Sequence, residues 1–221
     1  MIRIFDFLLS LIALFLLSPI FLIVILVLRL TGEGKVFYYQ KRIGKGKKII
    51  TLYKFATMIS GSEKTGTITV KNDPRILPFG AFLRDTKINE LVQLINIIKG
   101  DMSLIGPRPQ TKESFELFDR DAQNIIGSLK PGLSGLGSIV FSNEEAMLEN
   151  EINPKDFYRK FIAPYKGKLE IWYSNNINTK IYFALIFLTI IAVFFKKNGI
   201  PYRFFKSLPE VPENLRRFIT I

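Results

Sequence analysis

"FLLSLIALFLLSPIFLIVILVLRL", residues 7–30, is the stretch on which the fold turns. A bilayer core takes about 20 apolar residues wound as a helix, and this run meets that length with no charge before Arg29. Membrane insertion is the expectation. A cleaved signal peptide is not, because the run outlasts a signal h-region and no small-x-small site follows it. Ser18 and Pro19 interrupt the run near its middle. Proline removes one backbone donor and collides with the carbonyl four residues earlier. In lipid the freed carbonyl needs another partner, which a neighbouring serine hydroxyl can supply. Two shapes are open: a kinked helix that spans, or a helix that breaks at Ser18-Pro19 and returns to the face it entered. Arg3 at one end, with Arg29 and Lys35 at the other, suits the returning form without deciding it.

The apolar run is followed by "TGEGKVFYYQKRIGKGKK", residues 31–48, which is strongly basic. The positive-inside tendency makes that side cytoplasmic. The whole chain carries a net charge of +12 and contains neither cysteine nor histidine. Such a balance points to a polyanionic partner, and beside a membrane segment it favours an anionic membrane surface. A nucleic-acid patch built on "QKRIGKGKK" and its tyrosines leaves the apolar run unexplained, so no nucleic-acid partner is expected. Without cysteine and histidine there are no disulfides, thiolate nucleophiles, imidazole bases or soft-ligand metal sites. Chemistry must come from Asp, Glu, Lys, Tyr, Ser or Thr, and any metal is a hard cation such as Mg2+.

A second apolar run, residues 181–195, is too short to span as a helix and reads as buried or interface-lying. The tail, residues 198–218, mixes aromatics with Arg and Lys in the manner of headgroup-level segments. Between these, "VFYYQ" (36–40) and "KIITLYKF" (48–55) read as strands. Residues 58–78, rich in Gly, Ser, Thr and Lys, read as a polar, mobile loop. A helix is expected over 87–99, with Ile88, Leu91, Leu94, Ile95 and Ile98 as its apolar stripe and Gly100 as its C-cap. "DMSLIGPRP" reads as loop, since Pro107 and Pro109 break any helix. Residues 111–128 and 154–176 read as helical, the latter kinked at Pro164. The expected fold class is α+β, helix-rich: a membrane segment, 1–32, and a single small domain, 33–221, with membrane-interface helices.

Chemistry concentrates in and around residues 83–109. Arg84 precedes the helix that carries Asn89 and Glu90, Arg108 sits between two prolines, and Lys54 lies in "YKFATM". Arginine forks match phosphate oxygens in pairs, and a helix N-terminus adds backbone donors. Three cations converging there would hold a diphosphate, with Glu90 holding Mg2+.

These residues carry a resemblance. "KGDMSLIGPRP", "YKFATM", the Ser-Pro of the first apolar segment and "KPGLSGLGS" together resemble the bacterial sugar transferase family, the small monotopic phosphoglycosyl transferases. The likeness runs from about Arg3 to Thr189. It implies transfer of a sugar-1-phosphate from a UDP-sugar to undecaprenyl phosphate, with release of UMP, to initiate cell-surface polysaccharide or glycoconjugate synthesis. The place implied is the cytoplasmic face of the bacterial inner membrane, with downstream glycosyltransferases as protein partners. It implies a re-entrant first helix broken at Ser18 and Pro19. It also implies phosphate and Mg2+ handling by Lys54, Arg84, Glu90 and Arg108.

The sequence departs from the family pattern at the reactive pair. The resemblance implies Asp-Glu, with the aspartate attacking phosphorus, and here the pair is Asn89-Glu90. An amide is a far weaker nucleophile than a carboxylate. Tyr182 stands where the resemblance implies an aspartate, and Val92 where it implies a proline. Three outcomes follow: another acid (Asp85, Asp101 or Glu90 itself) attacks, the lipid phosphate attacks directly, or the chain is a catalytically weak homologue that binds lipid phosphate or partner proteins.

Overall fold

The computed structural model describes residues 1–62, 73–149, 151–195 and 199–219. The first helix, α1 (Ile2–Leu30), runs unbroken for 29 residues, about 43 Å at 1.5 Å per residue. Pro19 lies inside it. Ser18 Oγ donates to the Phe15 carbonyl at 2.7 Å, which is the acceptor that a proline at 19 leaves without its usual donor. At Ser18-Pro19 the serine hydroxyl thus stands in for the missing backbone donor, within one helical element.

The helix lies lengthwise on the rest of the chain. Near its start, Arg3 donates to the carbonyls of Ile97 and Ile98. Asp6, only 2% exposed, accepts from Ser103 Oγ, the Leu104 N–H and the Tyr182 hydroxyl, each at 2.9 Å. Midway, Ala13, Leu14 and Leu17 pack on Leu52, Leu94, Ile97 and Met102. Toward the end, Val24 and Leu28 are buried with Phe55, Leu83 and Val92. Both ends of α1 are held by the globular part. The opposite face exposes Leu8, Leu11, Phe15, Leu22, Ile23 and Leu26.

The strands β1 (Phe37–Ile43) and β2 (Ile49–Phe55) form an antiparallel hairpin, with Tyr38 opposite Lys54 and Arg42 opposite Ile50. The two-residue period of a strand puts Tyr38, Gln40 and Arg42 on the same face as Lys54. Next come α2 (Pro78–Asp85), a 3-10 helix (Ile88–Gln93), α3 (Leu94–Lys99) and β3 (Ser103–Ile105). They lead to α4 (Lys112–Phe115), α5 (Arg120–Ser128), β4 (Gly132–Ser134), α6 (Leu136–Val140) and α7 (Glu144–Glu149). The chain then forms α8 (Pro154–Phe157), a π-helical turn (Tyr158–Ile162), α9 (Ala163–Asn176), α10 (Thr179–Phe195), α11 (Ile200–Phe204) and α12 (Glu213–Arg216).

Several local expectations change. The 87–99 helix begins as 3-10, at about three residues per turn, which rotates the buried face. Asn89, Val92, Gln93, Leu94, Asn96 and Ile97 are buried, while Ile95 is exposed. Gly100 caps it in the left-handed region at φ 94°. Ser103–Ile105 is not loop: it pairs in parallel with β4, Ser103 beside Gly132 and Ile105 beside Ser134. The kink expected at Pro164 appears as the π turn just before it, closed by the Ala163 N–H on the Tyr158 carbonyl. α10 is half-buried, its inner face (Tyr182, Leu185, Leu188, Ala192) in the main core and Phe187 and Phe194 outward. The tail folds back: Leu208, Val211, Leu215 and Ile219 join the same core. Of the 58–78 loop, residues 63–72 lie outside the described residues, and Met58 bridges Ile76 at its base.

Candidate active site

The site is assembled by three local devices. The first is Asn96 of α3. Its Oδ1 accepts from the Tyr53 N–H at 3.1 Å and its Nδ2 donates to the Thr51 carbonyl at 2.7 Å. The side chain thus bonds a free strand edge, as a third strand would, and locks β2 against the 88–99 segment. Lys54 of β2 is thereby brought to Glu90, with Nζ 3.7 Å from Oε1.

The second device is backbone contact between the two glycine-bearing motifs. The Gly106 N–H donates to the Ser134 carbonyl and the Gly132 N–H to the Pro107 carbonyl, each at 2.9 Å. A Cβ at Gly106 would collide with the Lys130 carbonyl, and one at Gly135 with the Gly106 carbonyl. "GPRP" and "KPGLSGLGS" therefore need glycine to approach each other, and their contact fixes Arg108. The third device is Gln110. Its Nε2 donates to the Arg108 carbonyl and its own carbonyl accepts from the Ile43 N–H, each at 2.9 Å. That ties the Arg108 loop to the end of β1.

At the centre, Arg108 grips Glu90 with both fork nitrogens, Nη1 to Oε2 at 3.1 Å and Nη2 to Oε1 at 2.5 Å. Burial alone would raise the Glu90 carboxyl, but Arg108 and Lys54 overcome it and hold Glu90 far below the usual carboxylate range. The Arg108 guanidinium is held above its ordinary value, chiefly by Glu90. Burial, opposed by Glu90 and joined by the charges of Arg108, Arg42 and Arg84, lowers the Lys54 ammonium to about 8. Arg84, in the last turn of α2, thus joins the field at Lys54. Glu90 also feels Lys87. Among the described residues, Glu90 stands with five basic side chains, and only Glu144, acting on Arg108, and Glu113, acting on Arg42, add to the negative side, an imbalance suited to a polyanion. Arg108 keeps 44% of its side chain exposed, so an incoming anion can reach it.

Asn89 is 5% exposed, and its Oδ1 is buried with no hydrogen-bond partner. The expected helix-terminus cradle is corrected at one donor: the Glu90 N–H is spent on the Lys87 carbonyl. Neither substitute acid joins the cluster. Asp85 is exposed at the end of α2, and Asp101 follows Gly100 at the far end of α3.

Sequence reasoning missed two features. Arg42, read as part of the strongly basic stretch 31–48, sits on the Lys54 face of the hairpin, close enough to Arg108 and Glu90 to feel both charges. Its even spacing from Gln40 and Tyr38, two and four residues away, was the available signal. The second is a cavity lined by Arg108, Gln110, Gly137, Ser138, Lys166 and Glu170. Lys166 pairs there with Glu144 and lies over the Phe141 and Tyr158 rings.

A magnesium ion fits this donor set as a guest of substrate. No group of three acidic side chains occurs among the described residues. Arg108 takes two of roughly four lone-pair positions on Glu90, and the unsatisfied Asn89 Oδ1 is a further oxygen donor. Mg2+ commonly binds through one or two carboxylates completed by substrate phosphates.

Comparison with known proteins follows the same line. The family model for bacterial sugar transferases matches residues 1–196. The exopolysaccharide production protein ExoY of Sinorhizobium fredii is 35% identical over 158 residues, 64% of this chain and 70% of its own length. The UDP-N-acetylgalactosamine-undecaprenyl-phosphate N-acetylgalactosaminephosphotransferase of Aeromonas hydrophila is 37% identical over 138 residues, 61% of this chain and 33% of its own length. The UDP-glucose:undecaprenyl-phosphate glucose-1-phosphate transferase of Escherichia coli is 30% identical over 196 residues, 87% of this chain and 40% of its own length. The chain therefore spans well under half of these two longer relatives.

Proposed function

The chain belongs to the bacterial sugar transferase family, and from that premise we propose that it moves a sugar-1-phosphate from a UDP-sugar to undecaprenyl phosphate and releases UMP. The observation that carries the proposal is the cationic cluster at the Glu90 carboxylate, where Arg108 and Lys54 approach Glu90 and Arg84 acts on Lys54. The reaction initiates a cell-surface glycan at the cytoplasmic face of the membrane. Support for that placement comes from the apolar outer face of α1 and the basic segment that follows it.

The transfer is a direct displacement. An oxygen of the lipid phosphate attacks the phosphorus that bears the sugar. The bond from that phosphorus to the bridging oxygen breaks, and UMP leaves with that oxygen. Arg108 and Lys54 hold the non-bridging oxygens and offset the charge that builds on them, which is the main catalytic service in phosphoryl transfer. Arg84 adds to the attracting field. Asn89 contributes no nucleophile, because its amide oxygen attacks poorly. Glu90, already gripped by Arg108, positions that arginine and, with Asn89 Oδ1, would hold Mg2+. When bound, Mg2+ neutralises charge on the donor diphosphate.

The test is UMP formation by purified protein given Mg2+, undecaprenyl phosphate and a panel of UDP-sugars. Lipid-dependent UMP is expected, falling by at least a hundredfold in Glu90→Ala. Retained activity in both Glu90→Ala and Arg108→Ala would sink the site assignment. Intact-mass analysis after mixing with donor alone is expected to show no phosphosugar adduct, and an adduct would replace direct displacement with a covalent route.

A further inference from the structure

We propose that Arg42 is a phosphate-binding residue of this site, so that two phosphoryl groups are held at once, one by Arg108 with Lys54 and one by Arg42. The inference rests on the phosphate-transfer reading above and deepens it. Arg42 makes no ion pair among the described residues, and its Nε is buried without an acceptor. Its Nη2 donates only to a neutral group, Gln40 Oε1, at 2.7 Å. A guanidinium carries five N–H donors in a planar fork, and most of this fork is unused.

Its surroundings make that arrangement costly. Arg42 is largely withdrawn from water and faces Arg108 in the same cluster, and both effects disfavour the cation. Glu90, Tyr38 and Glu113 favour the cation without an ion pair to it, and the Glu90 carboxylate is gripped by Arg108 and neighboured by Lys54. A buried charge with no partner is strongly destabilising. The fold nonetheless fixes Arg42 firmly. The strand period points it to the Lys54 face, and the next residue, Ile43, is bonded to the Arg108 loop through Gln110. A site that moves a phosphoryl group between two phosphate-bearing substrates must seat an acceptor monophosphate beside a donor diphosphate. The unpaired fork of Arg42 is the seat left over when Arg108 and Lys54 are engaged. A bidentate phosphate would satisfy its donors and screen it from Arg108.

The experiment uses the full chain in detergent micelles and follows thermal unfolding with two probes. Inorganic pyrophosphate stands for the donor's diphosphate, and undecaprenyl phosphate, with undecaprenol as control, stands for the lipid headgroup. Arg42→Gln is expected to unfold at the same temperature as wild type or higher without ligand, since an uncompensated charge has gone. It is also expected to bind at least one probe tenfold or more weakly. The probe whose affinity falls identifies which phosphate Arg42 holds. Arg42→Lys keeps the charge but loses the fork, and should fold normally with weakened binding of that same probe. Unchanged affinity for both probes in Arg42→Gln would overturn the proposal. So would a lower unfolding temperature of the unliganded variant, because Arg42 would then be a satisfied structural group. If wild type binds a probe through Arg42 yet releases no UMP with any sugar, the transfer reading fails while the Arg42 assignment stands.

Discussion

Glu170 shows how burial sets the chemistry of a single residue. It is 4% exposed, one oxygen accepts from the Gly137 N–H, and Oε2 has no partner. Burial pushes its carboxyl up to about 7, opposed by that hydrogen bond and by Lys166. The folded chain therefore holds a proton that the unfolded chain releases above the ordinary glutamate range. The folded state binds more protons through that window, so stability falls as pH climbs from about 4.5 toward 7. Glu170→Gln should remove this slope. Between pH 5 and 8 the variant is expected to lose on the order of 2–3 kcal/mol less stability than wild type, measured by urea unfolding in detergent. Equal slopes would mean that Glu170 is ionised throughout. Glu90 behaves oppositely. Arg108 and Lys54 keep it ionised well below the usual carboxylate range, so it supplies no titration near neutrality.

At the scale of elements, the docking of α1 depends on Asp6. Three donors from β3 and α10 converge on one of its oxygens. A hydroxyl at Tyr182 donates to Asp6 where a second carboxylate would repel it. Asp6→Ala leaves a hydroxyl, a backbone N–H and a phenol without their acceptor in a buried place, and each such loss costs about 1–3 kcal/mol. Thermal unfolding should show a total loss of roughly 3 kcal/mol or more for Asp6→Ala, against about 1 kcal/mol for Tyr182→Phe. Similar losses in both variants would mean that the carboxylate is not the hub. Within α1, the Phe15 carbonyl that Pro19 leaves without a backbone donor is bonded by the Ser18 hydroxyl.

The whole molecule carries exposed apolar helix faces. The outer faces of α1 and α10 are exposed and hydrophobic, while Arg3 and Asp6 tie the start of α1 to the globular part. A probe fused before Met1 should therefore be accessible from the same side of the membrane as a probe on the globular part. Accessibility from opposite sides in sealed vesicles would show a spanning helix. Washing with concentrated salt should leave the protein on the membrane, since salt screens charge but not apolar burial.

The sequence by itself determined the class of the molecule and most of the cluster's membership. A long charge-free run, the hairpin strands, the Gly100 cap and the residues Lys54, Arg84, Glu90 and Arg108 were legible because each depends on local pattern or chemistry. Tertiary structure decided the rest. The shape of α1 depends on bonds from Arg3 and Asp6 to residues about a hundred positions away. The strand character of Ser103–Ile105 exists only because β4 lies beside it. The buried face of the 88–99 segment turned with its 3-10 start. Arg42 read as one of many basic residues, and became distinctive only when hairpin register set it beside Lys54 and the Gln110 bond brought Arg108 near. Local periodicity records which face a residue takes, but whether a buried charge finds a partner is a property of space that no linear pattern carries.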